Sequence, residues 1–220
     1  MRLFLDSANI DEIEEAFEEY YPVLSGLTTN PTFFYREGII SIDSFFEQIG
    51  DIPIGELHVE AMGDTCDKIV EQCDKLNELN HHYRSNVDDS IAYKIPFSLH
   101  GLQAVENLNT FAQNIKTNVH LIYSVNQAFL ALAAGATYVC PLMGRYDDIG
   151  SDSLTLIDEI NSILGNGSIL AASIRHPSHV KSLLLKNVGN ITVPYKVLKL
   201  MMDHPLTERG ILEFNEHESR

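Results

Sequence analysis

Leu3-Phe4-Leu5-Asp6-Ser7-Ala8-Asn9-Ile10-Asp11-Glu12, at the N-terminal end of the chain, decides the fold. Residues 3–5 form a short apolar run of strand character. A doubly wound nucleotide-binding sheet would carry a glycine-rich phosphate loop directly after such a first strand. Asp6-Ser7-Ala8-Asn9 stands there instead, and Asn9 with Glu12 has the spacing of a capping box that opens a helix. No GxGxxG, Walker-type or HExxH motif occurs in the 220 residues.

Beyond that stretch, β-branched or aromatic runs alternate with helical patterns. Apolar runs recur at 25–29, 57–62, 91–96, 119–123, 137–142, 169–174 and 191–194, which makes eight candidate strands with the first. Every gap can hold a parallel crossover of about a dozen residues or more. Helical stripes fill them, as in Cys66, Ile69, Val70, Cys73 and Leu76, in Leu102, Val105, Leu108 and Ala112, and in Leu154, Ile157, Ile160 and Leu164. Ser98 and Ser124 stand at cap positions, Gly135 and Gly165 at helix ends. Pro177 suits a first turn, with Val180, Leu183 and Leu184 expected to face inward. Eight β-α units of this size predict an α/β fold, a single (β/α)8 TIM barrel over 1–220 with an extra C-terminal helix in 205–220. The polar stretch 80–89, with His81 and His82, reads as a solvated excursion on the face away from the strand ends.

Composition limits the function. Lys and Arg number 15 against 31 Asp and Glu, a net charge of −16. So acidic a surface repels phosphate backbones and argues against nucleic-acid binding. A hydrophobic content of 45% argues against disorder. No stretch approaches the ~18 apolar residues of a membrane span, and the N-terminal run is too short for a secretory signal. Three cysteines without a CxxC read as reduced, buried thiols of a cytoplasmic protein.

Barrel chemistry sits at the C-terminal ends of the strands. Those ends carry Asp6, Thr28-Thr29-Asn30, Glu60, Lys94, Asn118 with His120, Cys140, and Ser173 with Arg175. In Ile91-Ala92-Tyr93-Lys94-Ile95-Pro96, alternation sends Tyr93 and Ile95 toward the helices and Lys94 into the lumen. Enclosure strips water from an amine and favours its neutral form, a nucleophile for carbonyls. Asp6 and Glu60 pull the other way, toward a static ammonium pair. Arg145, Ser173 and Arg175 form a fork for a phosphate, unless Arg145 merely pairs with Asp147 or Asp148.

Several long motifs resemble the transaldolases, above all the small-subunit branch that includes the fructose-6-phosphate aldolases. They are Phe4-Leu5-Asp6-Ser7-Ala8-Asn9, Gly26-Leu27-Thr28-Thr29-Asn30-Pro31-Thr32, Tyr93-Lys94-Ile95-Pro96, Asn126-Gln127-Ala128, Gly144-Arg145-Tyr146-Asp147-Asp148 and Ala172-Ser173-Ile174-Arg175-His176-Pro177. The resemblance implies an enzyme of the pentose phosphate pathway whose Lys94 forms a Schiff base with a ketose phosphate. Fructose 6-phosphate or sedoheptulose 7-phosphate would then hand a dihydroxyacetone unit to an aldose phosphate. It casts Asp6 as the acid/base for sugar hydroxyls and Glu60 as the carboxylate acting through a water. Asn30 and Asn118 are cast as amides that orient hydroxyls, with Thr29 beside them, and Arg145, Ser173 and Arg175 as the phosphate grip. No metal or organic cofactor is implied, and assembly as a decamer of two pentamers is. The stretch 81–89 looks like an insertion. Two residues depart from the pattern: His120 replaces a threonine, and Cys140 replaces a serine that touches dihydroxyacetone. Glu60 and Leu142 lean toward transaldolase rather than aldolase cleavage. A weakened sugar-phosphate-binding barrel stays as the other alternative.

Overall fold

The computed structural model describes residues 1–85, 90–111, 115–165 and 167–218. Among them eight strands alternate with eleven helices: β1 (Arg2–Asp6), α1 (Ile10–Glu19), β2 (Leu24–Thr28), α2 (Pro31–Arg36), α3 (Ile42–Gln48), β3 (Glu56–Glu60), α4 (Cys66–Tyr83), β4 (Ser90–Pro96), α5 (Leu99–Phe111), β5 (Lys116–Ile122), α6 (Val125–Ala133), β6 (Tyr138–Pro141), α7 (Met143–Asp148), α8 (Ser153–Leu164), β7 (Leu170–Ala171), α9 (Pro177–Leu185), β8 (Asn190–Val193), α10 (Tyr195–Met202) and α11 (Pro205–Glu218). The strands form one parallel sheet in the order β6-β5-β4-β3-β2-β1-β8-β7. Bridges Val139↔Ile169 and Leu142↔Ala172 join its two ends into a (β/α)8 barrel with an extra C-terminal helix.

Side-chain parity builds two cores. Outward-facing Leu5, Leu27, Leu57, Val59, Tyr93, Ile95 and Val119 pack against helix residues such as Ile13, Phe17, Phe45, Ile69, Val105 and Ile157. Each such burial contributes on the order of 1.5–3 kcal/mol. Inside the barrel, Phe4, Tyr138, Cys140, Leu170 and Ala172 form a second, smaller cluster on one side of the lumen. Gly26 makes room for it, since a Cβ there would lie 2.1 Å from the Glu56 carbonyl and 2.7 Å from the Phe4 ring. The opposite side of the lumen is polar, and its floor is Glu56. That carboxylate takes hydrogen bonds from Tyr138 (2.7 Å), Arg2 (3.1 Å) and Lys116 (2.5 Å).

The expected caps form. Asn9, Ser124 and the ring of His176 accept from Glu12, Gln127 and Ser178 N–H groups, and Ser98 accepts from Gly101. The Glu12 carboxylate closes on the Ser7 hydroxyl (2.7 Å). Gly135 and Gly165 both hold positive φ, which ends α6 and α8.

Other details differ from the sequence reading. The gap after β2 holds two short helices, and Arg145 lies in α7 rather than a loop. The stretch 80–89 is no simple excursion: α4 runs through Tyr83, and Arg84 is buried with its guanidinium donating to the Ile49 and Ile52 carbonyls. His81 and His82 are exposed. Residues 86–89 and Ala112 lie outside the described residues. Leu184 is exposed rather than inward-facing, because α9 buries only Val180 and Leu183. Cys73 and Cys140 are buried, whereas Cys66 is half-buried at the first position of α4. Among the described residues no helix is long and apolar enough to cross a membrane.

Candidate active site

A cavity of about 630 Å³ opens at the C-terminal ends of the strands. Asp6, Asn30, Glu60, Lys94, His120, Cys140, Arg145, Ser173 and Arg175 all line it. Strand register explains the gathering. Glu60 pairs with Lys94 across β3 and β4, Pro96 with His120 across β4 and β5, and His120 with Cys140 across β5 and β6. Residues of one parity at one height of a parallel barrel must meet in the lumen.

Lys94 is 6% exposed and points inward. Its Nζ donates to the Thr29 carbonyl and lies 3.5 Å from Glu60 Oε2. Two carboxylates flank this amine, and their acidities diverge. Burial pushes Asp6 above the ordinary carboxylate value, against the pull of Lys94 and a 2.7 Å hydrogen bond from the Thr28 hydroxyl. Burial opposes ionisation of Glu60 too, but Lys94 and His120 outweigh it and hold that carboxyl below its ordinary value. Asp6 is thus the group suited to take up and release protons, while Glu60 stays an anion.

His120 sets its Nε2 against Glu60 Oε1. Burial lowers its pKa despite that neighbour, so the ring is neutral near pH 7. A neutral imidazole facing a carboxylate carries its proton on the facing nitrogen, which leaves Nδ1 as a free base. The next residue, Leu121, adopts φ 60° at a break in the register between β5 and β6. A non-glycine residue at positive φ costs on the order of 1 kcal/mol, and bulges of this kind re-aim neighbouring side chains. Burial pushes the Cys140 thiol up to about 12, so it is protonated and a weak donor.

The residues expected to grip a phosphate are arranged in a particular way. Ser173 has φ 61°, and Gly144, inside α7, sits so close that a Cβ there would be 2.5 Å from Arg175 Nε. Arg175 makes a two-pronged pair with Asp148, and both are about half exposed. The residue that pairs with Asp148 is therefore Arg175.

Two expected site residues lie off the cavity wall. The Thr29 hydroxyl turns away and donates to the His58 carbonyl (3.2 Å), so this residue meets Lys94 through its own carbonyl. Asn118 is fully buried in the layer beneath, with Nδ2 3.0 Å from His58 Nδ1. Thr28 and Thr192 went unread as site residues. They line the cavity and share a hydrogen bond of 2.6 Å that continues to Asp6. Strict alternation from Gly26 would have selected Thr28 over Thr29. Among the described residues no group of three or more His, Cys, Asp or Glu is arranged to hold a metal ion.

Comparison with known proteins agrees with this geometry. A solved structure of inosine 5' monophosphate dehydrogenase from Legionella pneumophila superposes with a TM-score of 0.61 over 90% of this chain and 58% of that chain. At 10% identity this is a likeness of barrel fold alone. A protein of Oceanobacillus iheyensis named probable transaldolase is 40% identical over 218 residues, covering 97% of this chain and 96% of the relative. One from Kosmotoga olearia with the same name is 41% identical over 221 residues, covering 97% and 94%. The sequence model of the Transaldolase/Fructose-6-phosphate aldolase family matches residues 3–219, and the chain belongs to that family.

Proposed function

We propose that this protein is a transaldolase that carries a dihydroxyacetone unit from a ketose phosphate to an aldose phosphate on Lys94. The observation that carries the reading is an inward-pointing lysine flanked by two carboxylates of opposite tuning, in a cavity with room for a sugar phosphate. Relatives over nearly the full chain are named probable transaldolase.

The chemistry follows from the placement. The Lys94 amine passes a proton to the basic nitrogen of His120 and adds to the C2 carbonyl of the ketose to give a carbinolamine. Loss of water from it leaves an iminium. The hydroxyl departs as water with that proton, returned to it by His120, so the ring ends neutral as it began. Asp6 takes the C4 hydroxyl proton as the C3–C4 bond breaks, and its raised pKa suits it to hold that proton. The bond electrons flow into the iminium and leave a neutral enamine on Lys94. The aldose phosphate departs as an aldehyde, and an acceptor aldehyde reverses the steps. Arg145, Ser173 and Arg175 hold the phosphate at the mouth, with the ketone end directed to Lys94. Asn30 and Cys140 complete the contacts to the sugar, with Asn118 supporting them from the layer beneath and Thr29 contributing through its backbone. The reading goes with a cytoplasmic enzyme acting on soluble sugar phosphates. Leu206, Ile211, Leu212 and Phe214, exposed along α11, support a homo-oligomer.

Borohydride reduction with fructose 6-phosphate tests the proposal. The expected result is an irreversible dihydroxyacetone adduct at Lys94, lost in Lys94→Met, and turnover that requires an aldose phosphate acceptor. A native protein that never labels refutes the covalent mechanism. Labelling with cleavage that needs no acceptor would make the enzyme an aldolase instead.

A further inference from the structure

Two threonine hydroxyls in the cavity wall have no part in the proposed mechanism. Thr28 ends β2 and Thr192 lies on β8, the two strands that flank β1. Thr28 is the register partner of Asp6, and Thr192 is that of Phe4, one alternation lower. Each threonine is 1% exposed, and both line the cavity. Thr28 Oγ1 stands 2.7 Å from Asp6 Oδ1 and 2.6 Å from Thr192 Oγ1. The Leu5 carbonyl, at 3.5 Å, is a further acceptor at the edge of hydrogen-bond range.

Counting protons fixes the direction of this chain. A hydroxyl has one proton to give, and an ionised carboxylate only accepts. The Thr28 proton therefore goes to the charged Oδ1 of Asp6. The short contact between the threonines then requires Thr192 to donate to Thr28. Among the described residues Thr192 Oγ1 has no other hydrogen-bond partner, so this is the bond that uses its proton. The reverse arrangement would place a proton on Asp6 Oδ1 and leave that of Thr192 without an acceptor. Asp6 Oδ2 takes no hydrogen bond among the described residues, and Asp6 lines the cavity. The titratable groups that face Asp6 are Lys94 from β4 and Cys140 from β6, the latter a protonated thiol, and neither donates to Oδ1.

We propose that Thr192 is a positioning residue: its hydroxyl donates to Thr28, holds the Thr28 proton on Asp6 Oδ1, and so reserves Oδ2 for the C4 hydroxyl proton of the ketose. The inference rests on the Schiff-base transaldolase reading and adds to it the choice of oxygen. Without the Thr192 hydroxyl, Thr28 is free to accept as well as to donate. Protonated Asp6 then turns its proton onto Oδ1, away from the substrate, and the anion loses part of its support.

Thr192→Val in the full-length enzyme removes the hydroxyl and keeps the branched shape. For fructose 6-phosphate with erythrose 4-phosphate, kcat is expected to fall about fivefold, with KM within about twofold of wild type. Borohydride trapping of dihydroxyacetone on Lys94 breaks no C3–C4 bond and is expected to keep its wild-type rate. Infrared difference spectroscopy supplies a readout that lost packing alone does not move. The carboxylic acid band of Asp6, assigned by its loss in Asp6→Asn, is expected to titrate at higher pH in Thr192→Val. Thr192→Ser restores both kcat and the titration. In a Thr28→Val background the Thr192 substitution has no further effect, because it acts through Thr28. Wild-type kcat or an unmoved Asp6 band in Thr192→Val overturns the proposal. Losses that multiply in the double variant, or trapping slowed in step with kcat, overturn it as well. Should Thr192→Val fail to fold, Thr192→Cys, with its weak donor, is read by the same band, and an unmoved band is again decisive against the proposal. A wild type that forms no borohydride adduct would fell the parent mechanism and leave the Asp6 titration standing, so the two failures are distinguishable.

Discussion

Replacing His120 by threonine probes the feature of the site that departs furthest from the family pattern. The imidazole sets Nε2 in close contact with Glu60 Oε1, and Glu60 Oε2 lies 3.5 Å from the Lys94 nitrogen. Both side chains of the His–Glu pair are more than nine-tenths buried. A hydrogen bond to a buried carboxylate contributes about 1.5–3 kcal/mol. Threonine's hydroxyl is too short to span the same gap, so Glu60 would collapse onto Lys94. At an effective dielectric of about 20 and 3.5 Å, the Coulomb attraction of that pair is about 5 kcal/mol, so a carboxylate freed from His120 tightens its hold on the ammonium. If the lost hydrogen bond is felt fully in the transition state, kcat falls by about 10- to 150-fold. The pH profile supplies a second signature. Burial lowers the His120 pKa below the ordinary 6.5, so its base form persists at neutral pH. Wild-type kcat is therefore expected to hold through pH 6.5 and to fall only in more acid solution, as the ring protonates. The variant loses this limb. The assay is aldose phosphate release from fructose 6-phosphate with erythrose 4-phosphate as acceptor, followed from pH 5 to 9. A variant as fast as wild type, or faster, would show the histidine to be an obstacle and refute the relay.

Two further substitutions test the architecture at its two ends. Gly144→Ala places a methyl group 2.5 Å from both Arg175 Nε and the Ser173 carbonyl. KM for the ketose phosphate is expected to rise at least tenfold, while borohydride trapping of phosphate-free dihydroxyacetone at Lys94 stays as in wild type. Glu56→Ala removes the floor acceptor from buried His58 and Tyr138, with Arg2 and Lys116 more than a third exposed and contributing little. Two stranded buried groups predict a loss of about 3–5 kcal/mol, or roughly 6–20 °C in Tm for a chain of this size, by calorimetry at pH 7. Because the Glu56 pKa is depressed in the fold, its contribution is complete above the ordinary 4.5 and disappears as pH falls below it. The wild-type and variant stabilities should converge there, and a gap that widens in acid would contradict the network.

Parity and punctuation made the barrel legible. Each of the eight strands overlaps one of the apolar runs read from the sequence, because residues alternating at period two must face either helices or lumen. Lys94 was legible for the same reason, since Tyr93 and Ile95 join the outer core and leave the lysine to the inside. Failures came where tertiary contacts override local pattern. Leu121 and Ser173 hold positive φ with side chains that resist it, and nothing in a leucine announces such a turn. Thr29 was chosen over Thr28 because the two are chemically alike and differ only in the face they present. Arg84 reads as a polar surface residue, yet the Ile49 and Ile52 carbonyls at the end of α3 draw it inside. The buried contacts of His58 were only half legible, since Glu56 stands two residues before it on β3 while Asn118 reaches it from β5, two strands away.

The division of the lumen into an apolar and a polar half resolves an apparent conflict in the charge. A chain of net charge −16 is a poor attractor for sugar phosphates at long range. At the mouth, however, Arg36, Arg145 and Arg175 line one cavity, while the anions within it, Asp6 and Glu60, are sunk beside Lys94 at the strand ends. A phosphate therefore meets cations first and carboxylates only at the far end, where the ketone belongs. Phe4, Leu170 and Ala172 pack together as an apolar wall on the β1–β7 side. The same low polarity that raises the pKa of Asp6 strengthens the grip of Glu60 on Lys94. On the proposed mechanism a phosphate reaching Arg175 competes with Asp148 at the rim, and the ketone competes with Glu60 for Lys94 below, so the two contests are separated by the depth of the barrel.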